Sequence, residues 1–225
     1  MNLVFSWDWL PLLGKGTLVT FELTVISIFM GFFLGILLSL GRVYGNRLAY
    51  LVSSFYVQVF RGTPMLTQLF ILYFGLPTIG IMLPPFLAAI IGMGLNSGAY
   101  QAEYFRGSIQ AIKGGQMMAA RALGMSQWQA IRRIILPQAL RLAIPSWSNE
   151  LIYLLKYSSI AYMIQVPELM FQGKRISSKT FLTFEVFLVV ALIYLVVVMI
   201  LSRLLGTLEH KVKIPGLGVK GRASL

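Results

Sequence analysis

The sequence contains no cysteine, and its single histidine is His210. Disulfide frameworks, thiolate zinc sites and cysteine nucleophiles are excluded, and a histidine-rich metal site or a Ser-His-Asp triad has no material to be built from. Charge is also scarce. Only 12% of the 225 residues are Asp, Glu, Lys or Arg, about half the share of an ordinary soluble domain. Acidic residues are the scarcest, 7 against 19 Lys and Arg, giving a net charge of +12. No internal repeat and no linker divides the chain. A phosphate-binding loop is missing as well: Gly14-Lys15-Gly16-Thr17 lacks the first glycine of Gly-x-x-x-x-Gly-Lys-Ser/Thr. Met1 to Leu10 has no basic stretch and includes Asp8, so it does not read as a cleaved signal peptide.

What is present is apolar residue, 57% of the chain, with mean hydropathy +0.78. A bilayer core about 30 Å thick needs about 20 mostly apolar residues in a helix. Five segments qualify: 17–40, 48–75, 84–100, 140–164 and 181–205. Alternating ten-residue strands of a membrane barrel are absent, so the expected fold is an all-α polytopic membrane protein. The cations fall between the apolar blocks. With the N-terminus outside, the inner segments 41–47, 102–141 and 203–225 hold thirteen of the nineteen. The outer segments hold Lys15, Lys174, Arg175 and Lys179, while Arg61 and Lys156 fall within spans. This bias predicts the N-terminus outside and the C-terminus cytoplasmic. Trp7 and Trp9 then fit an outer interface better than a core.

The longest polar stretch follows the third span. Glu103 and Arg106 are spaced to pair on a helix. Lys113-Gly114-Gly115 breaks that helix; Gln116 to Leu123 forms a new one, with Gly124 at the position after its end. Ser126 and Gln129 match a capping box and start a second helix carrying Trp128, Ile131, Ile134 and Ile135. Pro137 stops that helix or begins the next span. On physical grounds the pair is either an interfacial amphipathic element or a dock for a cytoplasmic partner.

Charged residues within spans each cost about 2.5–3.5 kcal/mol on insertion scales, so each needs a reason. Glu150 lies mid-span, and it either holds a cationic group of a substrate or pairs with Lys156 or Arg61. Tyr157 follows two turns along the same face. Thr63-Pro64 interrupts the second span, which is tolerated where the freed carbonyl lines a polar cavity. Gln68, Asn96 and Ser97 are small polar candidates for the same cavity or for hydrogen bonds between helices. Glu22 reads as structural or near the outer interface, and Gly31 with Gly35 as a close-packing face.

Met118-Ala119-Ala120, three residues, Gly124, nine residues, then Ile134-Ile135-Leu136-Pro137 resembles the EAA loop of ABC importer permeases, whose signature runs Glu-Ala-Ala, three residues, Gly, nine residues, Ile-x-Leu-Pro. Met118 stands where that family usually has Glu. Arg61-Gly62-Thr63-Pro64 with Gln68, Ala102-Glu103 through Gln110, and Asn149-Glu150 through Ser158-Ser159 are similar to the polar amino-acid permease subfamily. The resemblance covers about residues 15 to 210.

It implies a type I ABC importer-like fold of five transmembrane helices with a helical cytoplasmic coupling loop. The chain divides into an outer segment 1–16, a permease domain 17–210 with its coupling loop at 113–137, and a basic cytoplasmic tail 211–225. The implied partners are a cytoplasmic ABC ATPase dimer, a second permease chain identical or paralogous to this one, and an extracytoplasmic amino-acid-binding protein. ATP and Mg would sit on the ATPase, with no cofactor, metal or catalytic residue in this chain. The implied coupling residues are Met117, Met118, Ala119, Ala120, Arg121, Leu123, Gly124, Ile134 and Pro137; the implied substrate residues are Glu150, Asn149, Tyr157, Ser158, Thr63, Pro64, Gln68 and Ser97. The family often has Asp at the position of Tyr157, so the missing carboxylate argues against a cationic substrate. The alternative from a different class is an ion-coupled carrier or small channel using Glu150 and Glu185.

Overall fold

Glycine, asparagine and proline set where the chain bends. The computed structural model describes residues 7–112 and 114–212. After a 3₁₀ turn at Trp7–Trp9, helix α1 runs from Leu10 to Tyr44. Gly45-Asn46 ends it, and the Asn46 side chain accepts from the Ala49 amide at 2.9 Å, capping α2, Arg47–Gly62. Thr63-Pro64 separates α2 from α3, Met65–Phe70, which continues through a π turn to Gly75 and a 3₁₀ turn to Ile79. Helix α4, Pro85–Ala111, is followed by two short helices, α5 (Gly115–Ala122) and α6 (Gln127–Ala130). A π turn at Ile131–Ile135 joins α6 to α7, Leu136–Tyr157, which ends in a 3₁₀ turn to Ile164. Helices α8, Leu169–Thr180, and α9, Thr183–Val212, complete the described chain. Among the described residues there is no strand.

Helix α4 is the axis of the bundle, touching α1, α2, α3 and α7. Its buried face is rich in small residues, Ala88, Ala89, Gly92, Gly94, Gly98, Ala99 and Ala102, with Met93, Gln101 and Phe105 among them. Small residues let helix backbones approach closely where lipid supplies no hydrophobic drive between them. The approach to α1 is tightest at Gly31 and Gly35, as the four-residue spacing predicts. A methyl on Gly35 would lie 2.8 Å from the Gln101 Cβ and 3.0 Å from the Ala102 backbone nitrogen. Gly35→Ala should therefore lower the melting temperature of the purified protein, an overpacking cost of about 1–3 kcal/mol. Gly107→Ala, at a helical glycine with open space around it, should hold or raise it. Equal melting of the two variants would remove the close-packing role.

Among the described residues, α1 and α9 are long and apolar enough to cross a membrane by length and composition alone. The α2–α3 rod is broken in the middle, and the other long helices turn small or polar residues inward. Helix α1 begins at Leu10, ahead of the apolar run that starts at residue 17. Two sequence expectations need correcting. Trp9, expected at an interface, is buried against Leu13, Leu169, Ile176, Val186 and Val190. Helix α8 went unread within an outer loop; Glu168 starts it by accepting from the amides of Met170 (2.8 Å) and Phe171 (2.7 Å), and Tyr194 donates to the same carboxylate at 3.0 Å. Glu22 is exposed. Residues 1–6, Lys113, the Trp7 side chain and the tail beyond Val212 lie outside the described part, so the expectations for them stand as stated.

Candidate functional site

Pro64 has no N–H, so the Phe60 carbonyl loses its helical donor. Two side chains replace it: Gln68 Nε2 donates to Phe60 O at 2.9 Å and Asn96 Nδ2 at 3.0 Å. Gln68 Nε2 also lies 3.1 Å from Thr63 O and 2.8 Å from Thr63 Oγ1, and its Oε1 accepts from Asn96 at 3.1 Å. Thr63 Oγ1 donates back to Val59 O at 2.8 Å. Non-helical backbone at membrane depth persists where side chains and a polar cavity satisfy it, and here both are present.

The break forms one wall of a cavity of about 730 Å³. Arg61, Thr63, Pro64, Met65 and Leu66 line that wall. Helix α4 contributes Asn96, Tyr100 and Tyr104, spaced four apart, and α7 contributes Glu150, Tyr153, Leu154 and Tyr157 from its own face. Glu150 is 6% exposed. Its Oε1 accepts from Ser97 Oγ at 2.8 Å and its Oε2 from the Tyr104 hydroxyl at 3.2 Å. Among the described residues no cation comes within ion-pair reach of it. Lys156 instead rests its Nζ 4.6 Å from the Tyr153 ring centre. Arg61 stacks 5.2 Å over Tyr100. The expected alternative, a Glu150 salt bridge to Lys156 or Arg61, is therefore not what forms.

Beyond Tyr100, Glu103 gathers three guanidinium groups. Arg42 donates to its Oε1, and Arg106 donates to Oε2 through Nε at 2.9 Å and Nη2 at 2.7 Å, the pair read from the spacing. Arg61 Nη1 lies 3.7 Å from Oε1. Burial pushes the Glu103 carboxyl up, but the hydrogen bonds and charges of Arg42 and Arg106 hold it below the usual carboxylate range. Arg61 is the third and loosest cation on one carboxylate, 43% exposed, and faces the cavity with charge to spare.

The expected substrate residues separate into two groups. Glu150, Tyr157, Thr63 and Pro64 line the cavity. Asn149 does not: one residue from Glu150 it points elsewhere around α7 and is exposed. Ser158 is buried and donates to Leu155 O at 2.7 Å. Gln68 serves the helix break, and Ser97 stands behind Glu150. Sequence reasoning missed Arg61 as a lining group, along with Tyr100, Tyr104 and Tyr153. The signal was available as spacing: positions 96, 100 and 104 share one helical face, and so do 150, 153 and 157.

At the far end of α4 the loop has the caps its sequence predicts. Gly124 has φ +80°; its N–H donates to Arg121 O at 3.0 Å and the Met125 N–H to Ala120 O at 3.1 Å, the two bonds of a Schellman ending. Ser126 and Gln129 close the capping box at 3.2 and 2.8 Å. Met118, Ala119, Arg121, Leu123 and Trp128 are exposed, Leu123 at 83%. Met117 and Ile134 instead pack on Ile109, Ile112, Ile135 and Ala139, and Ala120 is buried. These three support the loop from inside. Pro137 sits in the first turn of α7, so it begins the next span, the second of its two expected roles; a π turn joins α6 to it, and helical backbone runs from Gln127 to Tyr157 with Pro145 inside it. An apolar cavity of about 380 Å³ lies beside this helical run between Leu40, Tyr44, Gly45, Gln127, Trp128 and Ile131.

Residues 27–214 match the family described as binding-protein-dependent transport system inner membrane component. A probable amino-acid ABC transporter permease protein, YckA of Bacillus subtilis, is 41% identical over 89% of this chain and 89% of its own length. The glutamine transport system permease protein GlnP of Escherichia coli is 37% identical over 92% of this chain and 96% of its own. Among solved structures, an amino acid ABC transporter crystallised with histidines is 36% identical, covers 94% of this chain and 99% of that one, and superposes with a TM-score of 0.87.

Proposed function

The chain belongs to the family of binding-protein-dependent transport system inner membrane components, and from that premise we propose how it works as the permease subunit of an ATP-driven importer of a polar amino acid. The cavity carries the reading. It presents an uncompensated carboxylate, Glu150, and a guanidinium with charge to spare, Arg61. A zwitterion has one group for each: its ammonium on Glu150 Oε2, its carboxylate toward Arg61. The remaining polar wall is Thr63, Asn96 and tyrosines, with no second carboxylate among the described lining residues, so the substrate side chain is polar and uncharged. Relatives named as glutamine permeases agree with that class. The family membership leaves no support for the carrier or channel alternative.

Five spans cross the membrane in this reading: α1, α2 with α3, α4, α7 and α9. The N-terminal segment 1–16 lies outside, residues 17–210 form the permease domain, and 211–225 form a basic cytoplasmic tail. The loop 113–137 docks on a separate ABC ATPase dimer, which holds the ATP and Mg. A second permease chain, identical or paralogous, completes the membrane unit, and an extracytoplasmic binding protein delivers the amino acid. Met118, Ala119, Arg121 and Leu123 offer the docking surface, and Gly124 sets its angle. The helical run from Gln127 to Tyr157 passes ATPase closure to the helix that carries Glu150, switching the cavity between outward- and inward-facing states.

Competition against uptake of radiolabelled L-glutamine in proteoliposomes containing the complex tests the substrate class. Asparagine and other uncharged polar amino acids should compete, and arginine and lysine should not; the reverse order would overturn the reading. Tyr157→Asp should shift that profile toward arginine and lysine by about tenfold, because a second carboxylate in a low-dielectric cavity favours a cationic side chain. An unshifted profile would mean that Tyr157 does not face the bound amino acid.

A further inference from the structure

The geometry points to Gln101 as a positioning residue that orients the Glu150 carboxylate from outside the cavity, through Ser97; this rests on the reading of Glu150 as the ammonium site. Gln101 and Ser97 are both fully buried on α4, one turn apart, and neither lines the cavity. Gln101 Nε2 donates to the Ile28 carbonyl on α1 at 3.1 Å and to Ser97 Oγ at 3.0 Å. The opposite amide orientation would set Oε1 against the Ile28 carbonyl, two acceptors facing each other, so the donor must point this way. A hydroxyl that accepts from an amide turns its own proton elsewhere, and Glu150 Oε1 receives it at 2.8 Å. Oε1 is thereby held against the back wall. Oε2, touched by Tyr104 at the cavity side, is the oxygen left for an occupant.

Two further observations support the assignment. Helix α1 leaves no freedom for the amide: a methyl on Gly31 would lie 2.6 Å from Gln101 Nε2. The Gln101 Oε1 is buried without a partner. Methionine or leucine would fill that space and leave no orphaned acceptor, so the amide is the wrong side chain for packing alone. Its donor pair is what distinguishes it from them. The relay thus ties α1, α4 and α7 together at the carboxylate.

The test is a double-mutant cycle on the reconstituted complex with L-glutamine as the probe. Gln101→Met keeps bulk and removes the donor. Its KM for uptake should rise about fivefold, the worth of one net hydrogen bond, with the melting temperature held. In the Glu150→Gln background the same change should add nothing, because no charged oxygen is left for the relay to aim at the ammonium. An equal rise in both backgrounds, or an unchanged KM in the first, would overturn the positioning role and leave Gln101 a packing residue. Gln101→Leu repeats the comparison should the methionine variant fail to assemble. If Glu150→Gln alone leaves uptake at the wild-type level, the ammonium-site reading falls and this inference falls with it.

Discussion

Glu150→Gln should lower L-glutamine uptake by about tenfold or more, equivalent to about 1.4 kcal/mol, while the complex stays assembled and melts at the wild-type temperature. The amide retains the shape of the carboxylate. Its oxygen can still accept from Ser97 or Tyr104, which now lie 2.8 and 3.2 Å from the two carboxylate oxygens. What is lost is charge, and no cation of the described chain depends on it, because Arg61 and Lys156 rest on Tyr100 and Tyr153. Had Glu150 been half of an internal ion pair, the same change would strand a buried cation and destabilise the protein. Melting temperature and KM measured on one preparation therefore separate the two roles. A destabilised variant with unchanged KM would remove the substrate role.

Gly124→Val should separate ATP hydrolysis from transport. Gly124 sits at φ +80° with nothing within 4 Å of an added Cβ, so any defect comes from the backbone conformation and not from a clash. A β-branched residue is a severe outlier in the left-handed region, where such strain costs about 1–3 kcal/mol. The turn would open, the Schellman bonds to Arg121 and Ala120 would break, and α5 would leave its angle to α6. Uptake should fall by at least about tenfold while the ATPase continues to hydrolyse ATP or dissociates. Gly124→Asn is the control, since asparagine tolerates the left-handed region, and it should retain most of the uptake. If valine and asparagine behave alike, the turn does not set the coupling geometry.

The parts of this molecule that were legible in the sequence are those specified by short spacing. Ser126 and Gln129, Gly124 and the Gly31/Gly35 pair each encode a local rule, and each takes the form that rule predicts. Glu150 was legible because a carboxylate in an apolar run demands a reason. Which face each neighbour takes was harder to read. Met117 and Met118 are adjacent and chemically identical, yet one packs on Ile109 and Ile135 and the other is 70% exposed. The same uncertainty placed Asn149 and Ser158 beside Glu150, when helical geometry turns Asn149 away and Ser158 is buried in the 3₁₀ turn, bonded to Leu155 O. Gln68 and Asn96 were recognised as polar, but their shared acceptor, the Phe60 carbonyl, lies eight residues from one and thirty-six from the other. Trp9 and α8 escaped for a related reason: their burial comes from α1 and α9 together, helices far apart in the chain, and the apolar face of α9 is uniform in sequence and carries no mark of what packs there.

The central claim is that a cavity built on Glu150 moves an amino acid when a separate ATPase acts on the loop around Gly124. Accumulation of radiolabelled L-glutamine in proteoliposomes holding this chain, its ATPase and any partner permease chain tests it most directly. ATP is enclosed and the binding protein added outside, with ion gradients dissipated by ionophores. The account predicts accumulation that requires both ATP and binding protein and that Glu150→Gln reduces. Accumulation that occurs without ATP once an ion gradient is imposed in place of the ionophores would contradict it.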